Sequence, residues 1–533
     1  MTNLVVFCDG TWNTPEDMDR GLPSPTNVVK LRNATVESAN QKVYYHPGVG
    51  TSGGWWDRIA GGGVGKGLDQ NIMSAYRWLA GQYSAGDDIF LFGFSRGAYT
   101  VRSLGGLISN CGLLDLTDPE LEQKDIWHRV ESVFDTYRKG RNFTNPKHYP
   151  FHNVPADAET AKTSPIHFIG VWDTVGALGI PDDLALLGLF DDAKKHRFHD
   201  TALSDIVTHA RHAVALDERR DSFAPTLWTG VGPPRVRQIW FPGAHSDVGG
   251  GYLEIGLSDG ALEWMMDEAK TRGLKVLAGV KKQLNVDPLA VVHDSLTGVF
   301  KLLKSRPRSA PRLDSKAADL HGSVGKRLAS PSLTQGHYWK TRTMQPGDSE
   351  TVDVFAIEHW NATGLFLEAG ETYQFVARGE WMDKDDKFSP TGRDTDGFSL
   401  GDVVRFASGV LGSAETAFRN ATGRQSVDFW WTKRDEGEAW FALLGHIASD
   451  HGLTPTTEAT GETFLIGDRE TDPTFTPQAS GYLYCFANDA WHTYGNNRGS
   501  VSLTVTRASG GRASRGRSAT ARAGGSRGRR SGG

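Results

Sequence analysis

The hydrophobic positions of the first 275 residues alternate between two spacings. Compact apolar runs predict strands at 4–8 and 88–92 and at the start of 166–176 and 236–252. Apolar residues at helical spacing predict helices at 67–83, 97–109, 201–215 and 261–272. This alternation predicts a mostly parallel, doubly wound α/β sheet, and in such sheets the chemistry is expected at the carboxyl ends of the strands.

The pattern changes near residue 351 to short strands of alternating apolar and polar residues, which predicts a C-terminal all-β sandwich. A helix-like insertion at about 400–424 interrupts it. We therefore divide the chain into four parts, namely a catalytic domain at 1–335, a linker at 336–350, a β-domain at 351–507 and a tail at 508–533.

The charge of the tail differs from that of the rest. The whole chain carries a net charge of −5, yet residues 508–533 hold seven arginines and no acid. This Gly, Ser and Arg composition predicts disorder. Such a tail could touch anionic lipid or nucleic acid or simply aid solubility, and we expect no specific nucleic-acid partner.

Three cysteines do not suggest a disulfide framework. The N-terminal residues lack the basic and apolar regions of a secretory signal peptide, and no apolar run reaches the roughly 18 residues of a membrane span. We expect synthesis in the cytoplasm, with any export by a route other than general secretion.

The pentapeptide GFSRG at 93–97 lies between a predicted strand and a predicted helix. In this context a Gly-x-Ser-x-Gly sequence is typical of a nucleophile elbow, in which a tight turn lifts the serine above the sheet. Ser95 is therefore the candidate nucleophile. The peptide N–H of Arg96, at the start of the helix, is a candidate oxyanion donor.

A serine nucleophile needs a base and an orienting carboxylate. Asp173 in GVWDTVG and His245 in FPGAHSDVGGGY each follow a strand, in the chain order serine, acid, histidine. Asp247 is a rival acid, but residues only two apart cannot easily place the imidazole between them. Asp247 could instead organise the glycine-rich loop.

The strand end DGTWN at 9–13 offers a second oxyanion donor, the N–H of Gly10 or Thr11, with Asp9 holding the turn. Two other readings exist for these regions. A metal site could in principle combine His245 with Asp9, Asp173 and Asp247, but the serine elbow explains more of the sequence. The glycine-rich run at 60–70 departs from a phosphate-binding loop at two required positions.

Six motifs in order resemble a large bacterial α/β-hydrolase family that includes the first class of type VI secretion lipase effectors. They are DGTWN, GVGT, GLDQNIMSAYRWL, GDDIFLFGFSRGAYTVRSLGGLI, GVWDTVGALG and HSDVGGGY. The resemblance covers about 1–330. It implies a serine hydrolase with Ser95, Asp173 and His245 as its triad and no cofactor for the catalytic step. It also implies an ester or lipid substrate at a membrane surface, a secretion apparatus and an inhibitor protein as partners, and a rival cell as destination.

The stretch NDAWHTYGNNRGS at 488–500 places several oxygen donors within nine residues, namely Asp489, Thr493, Asn496 and Asn497. Hard cations such as Ca²⁺ prefer oxygen ligands, and Gly495 permits a sharp turn. On composition alone, a polar hairpin loop is the favoured explanation of the stretch.

The spacing D-x-x-x-T-Y-G-N-N resembles the calcium loop of the galactophilic PA-I type bacterial lectin, in which Ca²⁺ bridges protein and sugar. The similarity spans about 351–507, with one large insertion. It implies that Asp489, Ala490 and Asn497 contact a glycan or glycolipid of the cell surface. The lectin's sugar-binding His and Gln are replaced by SPTGRDTDGF, so Arg393, Asp394 and Asp396 occupy this neighbourhood. The resemblance therefore implies a glycan site but does not extend to galactose specificity.

Together these features predict a lipase-like or phospholipase-like serine esterase that a calcium-dependent glycan-binding module targets to its substrate. A carbohydrate esterase, whose module binds the substrate polymer itself, is one alternative. A non-enzymatic glycan-binding adhesin on a decayed hydrolase scaffold is another, although the complete set of Ser95, Asp173 and His245 argues against decay.

Overall fold

The architecture is that of a computed structural model. It describes residues 1–10, 17–48, 64–140, 149–153, 166–176, 202–297, 304–314, 319–333, 335, 340–393, 434–435, 437–449, 461–467 and 474–509. The predicted insertion at 400–424 and nearly all of the basic tail lie outside these residues.

The N-terminal part alternates strands and helices along the chain. Its main strands are β1 (Asn3–Cys8), β4 (Gln41–His46), β5 (Asp88–Phe94), β8 (Ile166–Trp172), β9 (Val207–Ala215) and β10 (Val236–Phe241). Short strands are β2 (Met18–Asp19), β3 (Leu22–Pro23), β6 (Leu113–Leu114) and β7 (Phe151–Asn153). The helices are α1 (Asn27–Ala34), α2 (Val64–Gln82), α3 (Arg96–Cys111), α4 (Gln123–Arg138), α5 (His245–Gly249), α6 (Gly256–Lys270) and α7 (Gly322–Ala329).

Among the described residues, six strands form one sheet in the order β10-β9-β8-β5-β1-β4, and every neighbouring pair is parallel. The predicted parallel sheet is therefore confirmed. The chain order reverses between β1 and β5, which makes their carboxyl ends the topological switch point where ligands bind in open α/β sheets. The candidate nucleophile Ser95 follows β5 there.

Each face of the sheet carries its own apolar core. Alternate residues of β1 enter the two cores, with Leu4 and Val6 on the side of α2, α3 and α4. Val5 and Phe7 lie on the side of α1 and α6. This alternation follows from the two-residue period of a strand, and burial on both faces explains why the central strands are continuously apolar.

The helix predicted at 201–215 is wrong, because the described part of this segment contains strand β9. In the fold, β9 lies between β8 and β10, and its last six residues are buried. A central parallel strand buried on both faces has no alternating pattern that would distinguish it from a helix.

The C-terminal part is built of strands. They are β11 (Ser349–Phe355), β12 (Asn361–Leu367), β13 (Tyr373–Arg378), β14 (Trp381–Asp383), β15 (Asp386–Phe388), β16 (Leu443–Ala448), β17 (Glu462–Leu465), β18 (Thr474–Phe475), β19 (Gly481–Ala487) and β20 (Asn497–Arg507). One sheet has the order β15-β14-β20-β13-β18, with β11 also paired to β20, and the other the order β12-β19-β16-β17. The two sheets share an apolar core. The described part of this region is β-rich, as predicted.

The two parts contact each other through a shared apolar cluster. It joins Trp240 of β10 with Ala310 and Leu313 on one side to Tyr482 and Tyr484 of β19 on the other. The Tyr482 hydroxyl also accepts a hydrogen bond from the N–H of Leu313 at 2.9 Å. The segment that follows the parallel sheet therefore packs against the β-domain. No helix among the described ranges is long and apolar enough to cross a membrane.

Candidate functional site

Ser95 occupies a strained turn between β5 and α3. Its backbone φ is +56°, a left-handed value that non-glycine residues seldom adopt. A Cβ on Gly93 would lie 2.4 Å from the carbonyl oxygen of Gly97, and one on Gly97 would lie 2.1 Å from that of Cys8. Both glycines are therefore required by the close approach of strand and helix, as a nucleophile elbow demands.

Asp173 and His245 are in direct contact. Nδ1 of His245 lies 2.5 Å from Oδ2 of Asp173, and both side chains are buried. Asp173 follows β8, and the N–H of Ser95 donates to the carbonyl of Trp172 immediately before it at 3.1 Å. The parallel register of β5 and β8 thus brings the turn of Ser95 and the carboxylate of Asp173 to the same edge of the sheet.

The imidazole of His245 is held between two aromatic rings. Its centroid lies 4.6 Å from that of Phe94, the residue before Ser95, and 4.9 Å from that of Phe223, which meets it edge-on. Nε2 is buried and forms no hydrogen bond with any described residue, Ser95 included. Burial lowers the pKa of His245, although its hydrogen bond to Asp173 opposes this effect. The free ring nitrogen is therefore kept neutral and able to accept a proton.

The carboxylate of Asp173 is fully satisfied by hydrogen bonds. Oδ1 accepts from the N–H of Ala215 at 2.9 Å, and the guanidinium of Arg308 donates to Oδ1 at 2.6 Å and to Oδ2 at 2.9 Å. Burial would raise the pKa of Asp173, but the charge of Arg308 and the hydrogen bonds from His245 and Arg308 hold this pKa far below its ordinary value. These contacts therefore favour the ionised form of Asp173 beside the imidazole.

Two further carboxylates fix the backbone around His245. Glu218 accepts from the N–H of His245 at 3.2 Å and from the hydroxyl of Ser295 at 2.7 Å. Burial would raise the pKa of Glu218, but Arg220 lowers it to about 2. Asp247 accepts from the N–H of Ala244 at 2.9 Å. The peptide N–H groups of His245 and of the residue before it are therefore both held by carboxylates.

The rival acid Asp247 is paired with a different histidine. Its Oδ1 lies 2.6 Å from Nδ1 of His293, and its Oδ2 accepts from the N–H of His293 at 2.9 Å. Nε2 of His293 lies 3.2 Å from a carboxylate oxygen of Glu254. Asp247 therefore organises the loop that carries His245, the second role considered for it.

The strand end at Asp9 is tied to its surroundings by hydrogen bonds. The carboxylate accepts from the N–H of Gly10 and the hydroxyl of Thr26, both at 2.8 Å, and from Tyr45 at 3.2 Å. Burial raises the pKa of Asp9 to about 6 against the lowering effect of these bonds. The N–H of Gly10 is thus engaged by Asp9, and Thr11 lies outside the described residues.

Arg96 provides the first peptide group of α3, where N–H groups have no acceptor within the helix. Its side chain is buried, and burial lowers the pKa of the guanidinium to about 10.

The four residues considered for a catalytic metal are not gathered around one point. His245 pairs with Asp173, whereas Asp247 pairs with His293 and Asp9 with Thr26. Within the described ranges, no three His, Cys, Asp or Glu side chains are arranged to hold a metal ion.

Sequence reasoning missed Arg308 and Glu218. Glu218 follows the carboxyl end of β9, so recognising that strand would have drawn attention to it. Arg308 lies in a Pro-, Ser- and charge-rich stretch that resembles a linker, and no local pattern distinguishes it from Arg306 or Arg312.

The predicted calcium loop of the β-domain is also compact. Oδ1 of Asp489 accepts from the hydroxyl of Thr493 at 2.6 Å and from the N–H of Ala490 at 2.7 Å, and Oδ2 accepts from the amide of Asn497 at 2.9 Å. Asp489 is fully buried, and burial raises its pKa to about 6. The loop thus holds a buried carboxylate with hydroxyl and amide neighbours.

A second carboxylate, Asp383, reaches the same loop. Strand β14 pairs with β20 so that Asp383 lies opposite Asn497, and the amide of Asn496 donates to Oδ1 of Asp383 at 2.8 Å. Burial raises the pKa of Asp383, and its charge in turn contributes to the raised pKa of Asp489. Oδ1 of Asn496 and Oδ1 of Asn497 are buried and accept no hydrogen bond from any described group.

The other residues predicted to contact sugar are only partly described. The N–H of Arg393 donates to the carbonyl of Trp440 at 3.0 Å, and its guanidinium lies 5.1 Å above the ring of Phe388. Neither of these partners of Arg393, Trp440 or Phe388, belongs to the loop at 489–497. Asp394 and Asp396 lie outside the described residues.

Residues 2–268 match the family described as T6SS, phospholipase effector Tle1-like, catalytic domain. The chain belongs to this Tle1-like family. The match spans the parallel sheet from β1 to β10 and includes Ser95, Asp173 and His245.

Other similarities of this Tle1-like chain are partial. A protein of Saccharomyces cerevisiae, the uncharacterized protein YEL023C, is 31% identical over 249 residues, and the match covers 43% of this chain and 33% of the yeast protein. The chain thus spans about a third of the length of this curated relative.

Several solved structures also show similarity, and two of them serve as examples. One, described as the Tle1 effector bound to the VgrG spike from the type 6 secretion system, has a TM-score of 0.28 and 18% identity, covering 48% of this chain and 52% of that one. The other, described as the EclA N-terminal domain, a PllA-like lectin, has a TM-score of 0.17 and 19% identity, covering 30% of this chain and 94% of that one.

Proposed function

We propose that this Tle1-like chain is a serine hydrolase that cleaves carboxylic esters of lipids, with Ser95, His245 and Asp173 as its catalytic triad. The observation that carries the proposal is the buried pair of His245 and Asp173 beside a serine held in a left-handed turn at the switch point of the sheet. Membership of a phospholipase effector family supports a lipid substrate.

In the proposed reaction, the hydroxyl oxygen of Ser95 attacks the ester carbonyl carbon while Nε2 of His245 takes the hydroxyl proton. The tetrahedral intermediate collapses, the bond to the alcohol oxygen breaks, and His245 protonates the leaving alcohol. Water then attacks the acyl-enzyme by the same steps and releases the carboxylic acid. Asp173 holds the imidazole through Nδ1 and stabilises its positive form.

The base and the nucleophile do not need to be hydrogen-bonded in the free protein, because such bonds often shorten only when substrate binds. The N–H of Arg96, first in its helix, is the proposed oxyanion donor. The second donor is proposed to come from the turn after β1. Since Asp9 already engages the N–H of Gly10, Thr11 is the better candidate.

We further propose that the protein acts on membrane lipids of a target cell after delivery by the type VI apparatus, in keeping with the effector family to which it belongs. An inhibitor protein in the producing cell follows from this proposal, because a cytoplasmic phospholipase would threaten its own host.

The enzymatic proposal is tested with p-nitrophenyl butyrate and palmitate and with phospholipid vesicles, comparing the wild-type protein with Ser95→Ala. We expect Ser95→Ala to lose nearly all activity and the vesicles to release fatty acid. Equal activity of the two proteins would reject the serine mechanism. Release of acetate from acetylated glycans without release of fatty acid would favour the carbohydrate esterase.

The β-domain is proposed to bind Ca²⁺ at the loop of Asp489, and through it a cell-surface glycan or glycolipid. The donor set fits this ion, because Asp489, Asp383, Thr493, Asn496 and Asn497 are all oxygen donors and two of their amide oxygens are buried without a partner. A bound Ca²⁺ would neutralise the two carboxylates and offer open positions to sugar hydroxyls.

Glycan-array binding measured with calcium, with chelator and with Asp489→Ala tests this second proposal. We expect binding only for the wild-type protein with calcium. Binding that is indifferent to all three conditions would remove the proposed role of the loop. Calcium-dependent glycan binding in a protein without esterase activity would instead favour the adhesin.

A further inference from the structure

The segment 304–314, here called the strap, lies against the candidate active site. Its Ser305 forms a β-bridge with Arg220, and the N–H of Arg306 donates to the carbonyl of Arg219 at 2.7 Å. Arg306 also forms an ion pair with Asp221 at 2.9 Å. The strap is therefore fixed to the loop that follows β9 and begins beside the site.

Arg308 extends from the strap into the site and is 5% exposed. Besides its two bonds to Asp173, it donates to the carbonyl of Ala215 at 2.6 Å and to that of Phe223 at 2.7 Å. Phe223 is the residue whose ring packs edge-on against His245. One guanidinium thus joins the carboxylate, the end of β9 and the wall of the imidazole pocket.

The β-domain holds the strap at both ends. The indole N–H of Trp360 lies 3.0 Å from the carbonyl oxygen and 3.2 Å from the hydroxyl of Ser305. At the other end, the hydroxyl of Tyr482 accepts from the N–H of Leu313 at 2.9 Å. The strap is therefore held by the β-domain, which contributes none of the proposed triad, as well as by the loop after β9.

We propose that Arg308 is a positioning residue that pairs with both carboxylate oxygens of Asp173 and orients them toward His245, and that the β-domain maintains this arrangement by holding the strap. The inference rests on the proposed serine mechanism. It makes the β-domain part of the catalytic apparatus as well as a targeting module.

The electrostatic reason is the burial of Asp173. A buried carboxylate with no opposing charge favours its neutral form, and a neutral Asp173 could not stabilise the imidazolium that forms during catalysis. Arg308 supplies the opposing charge. Because it binds both carboxylate oxygens, it also fixes the plane of the carboxylate, which a single ammonium group could not do.

The test compares full-length wild type, Arg308→Gln, Arg308→Lys, Arg312→Gln and Ser95→Ala in p-nitrophenyl butyrate hydrolysis across pH. Arg312 lies on the same strap, but its side chain is 37% exposed, which makes it the matched control. We expect Arg308→Gln to reduce kcat/KM at pH 7 about tenfold or more. Its acid limb should move up by about one pH unit or more, because the dyad gains a proton more readily without the neighbouring positive charge.

Arg308→Lys keeps the charge and loses the two-point contact, so its acid limb should stay near that of the wild type while kcat falls. Arg312→Gln should match the wild type. A wild-type profile in both Arg308 variants, with Ser95→Ala inactive, would overturn the role of Arg308 and leave the serine mechanism standing. Lower activity with an unmoved acid limb in Arg308→Gln would reduce Arg308 to a structural residue. An active Ser95→Ala would instead reject the mechanism itself.

The part played by the β-domain is tested by Trp360→Phe, which keeps an aromatic ring and removes the N–H. We expect kcat to fall about two- to tenfold, the effect of one lost hydrogen bond, in protein that still melts cooperatively. Unchanged kcat in this variant would overturn the claim that the β-domain supports catalysis.

Discussion

Nδ1 of His245 lies 2.5 Å from Oδ2 of Asp173, although 72 positions separate the two residues in the sequence. The contact arises because β8 and the turn after β10 end at the same edge of one parallel sheet. Both partners are buried, so the pair is shielded from water and its electrostatic coupling is strong. Its consequences can be measured.

Replacing Asp173 by Asn should abolish most turnover while leaving the fold intact. The N–H of Ala215 and the guanidinium of Arg308 hold the remaining carbonyl oxygen at the position of Oδ1, so the amide NH2 faces Nδ1 and donates to it. The imidazole then loses the tautomer that presents a basic Nε2 to Ser95. We expect kcat to fall by about 10⁴-fold, the effect of the same change in other serine triads. Asp205→Asn is the control, because Asp205 is fully exposed, and should behave as the wild type. Equal kcat in the two variants would contradict the assigned role.

The pH dependence of the wild-type enzyme should report the buried imidazole. His245 must be neutral to accept a proton, and burial lowers its pKa, so the neutral form should persist below the ordinary pKa of about 6.5. We therefore expect the acid limb of kcat/KM for an uncharged ester to have its midpoint below about pH 6.5. A midpoint above this value, measured on protein shown to stay folded, would disagree with the observed environment.

Calcium should stabilise the protein most at neutral and alkaline pH. Burial raises the pKa of Asp489 to about 6 from 3.8, so the ion-free protein loses stability as pH rises from about 4 through 6 and this carboxyl must ionise. Ca²⁺ offsets that cost. We expect the melting temperature to rise with calcium at pH 7.5, by an amount that shrinks toward pH 4.5.

The control for this experiment is Asp489→Asn, which keeps the shape of the side chain and removes its charge. Its melting temperature should respond much less to calcium. A wild-type melting temperature that is the same in calcium and in chelator at pH 7.5 would contradict the proposed ion site.

Replacing either of two glycines of α3 by Ala should affect the stability of the protein differently. A Cβ on Gly97 would meet backbone oxygen at 2.1 Å, whereas on Gly105 its nearest neighbour is a side-chain methyl of Ile169 at 3.4 Å. We expect Gly97→Ala to lose about 2 kcal/mol or more of unfolding free energy. Gly105→Ala should be neutral or gain up to about 1 kcal/mol, since Ala favours a helix. Urea unfolding measures both, and a neutral Gly97→Ala would refute the tight elbow.

The sequence predicted most strands of the parallel sheet because their apolar runs are long and flanked by turns. It failed at β9, whose burial on both faces removes the alternation that distinguishes a strand. The residues singled out for chemistry follow strands or lie in loops with distinctive spacing. Such patterns can be recognised in a sequence because consecutive residues determine the backbone geometry of a turn or strand end.

Arg308, Glu218 and Asp383 could not be predicted in the same way. Each acts through a partner distant in sequence, as Arg308 does with Asp173 over 135 positions. Their own neighbourhoods contain several similar charged side chains. Which of these becomes buried depends on how the strap and strands pack.

The sequence alone determined the alternating order of the catalytic domain, the turn of Ser95, and the oxygen-rich loop at Asp489, because glycine positions, apolar spacing and donor chemistry are written in consecutive residues. Only the tertiary structure decided which arginine supports the pair of Asp173 and His245 and which second acid joins the loop. Those choices follow from burial, since a charged group leaves water only where the fold supplies its partner.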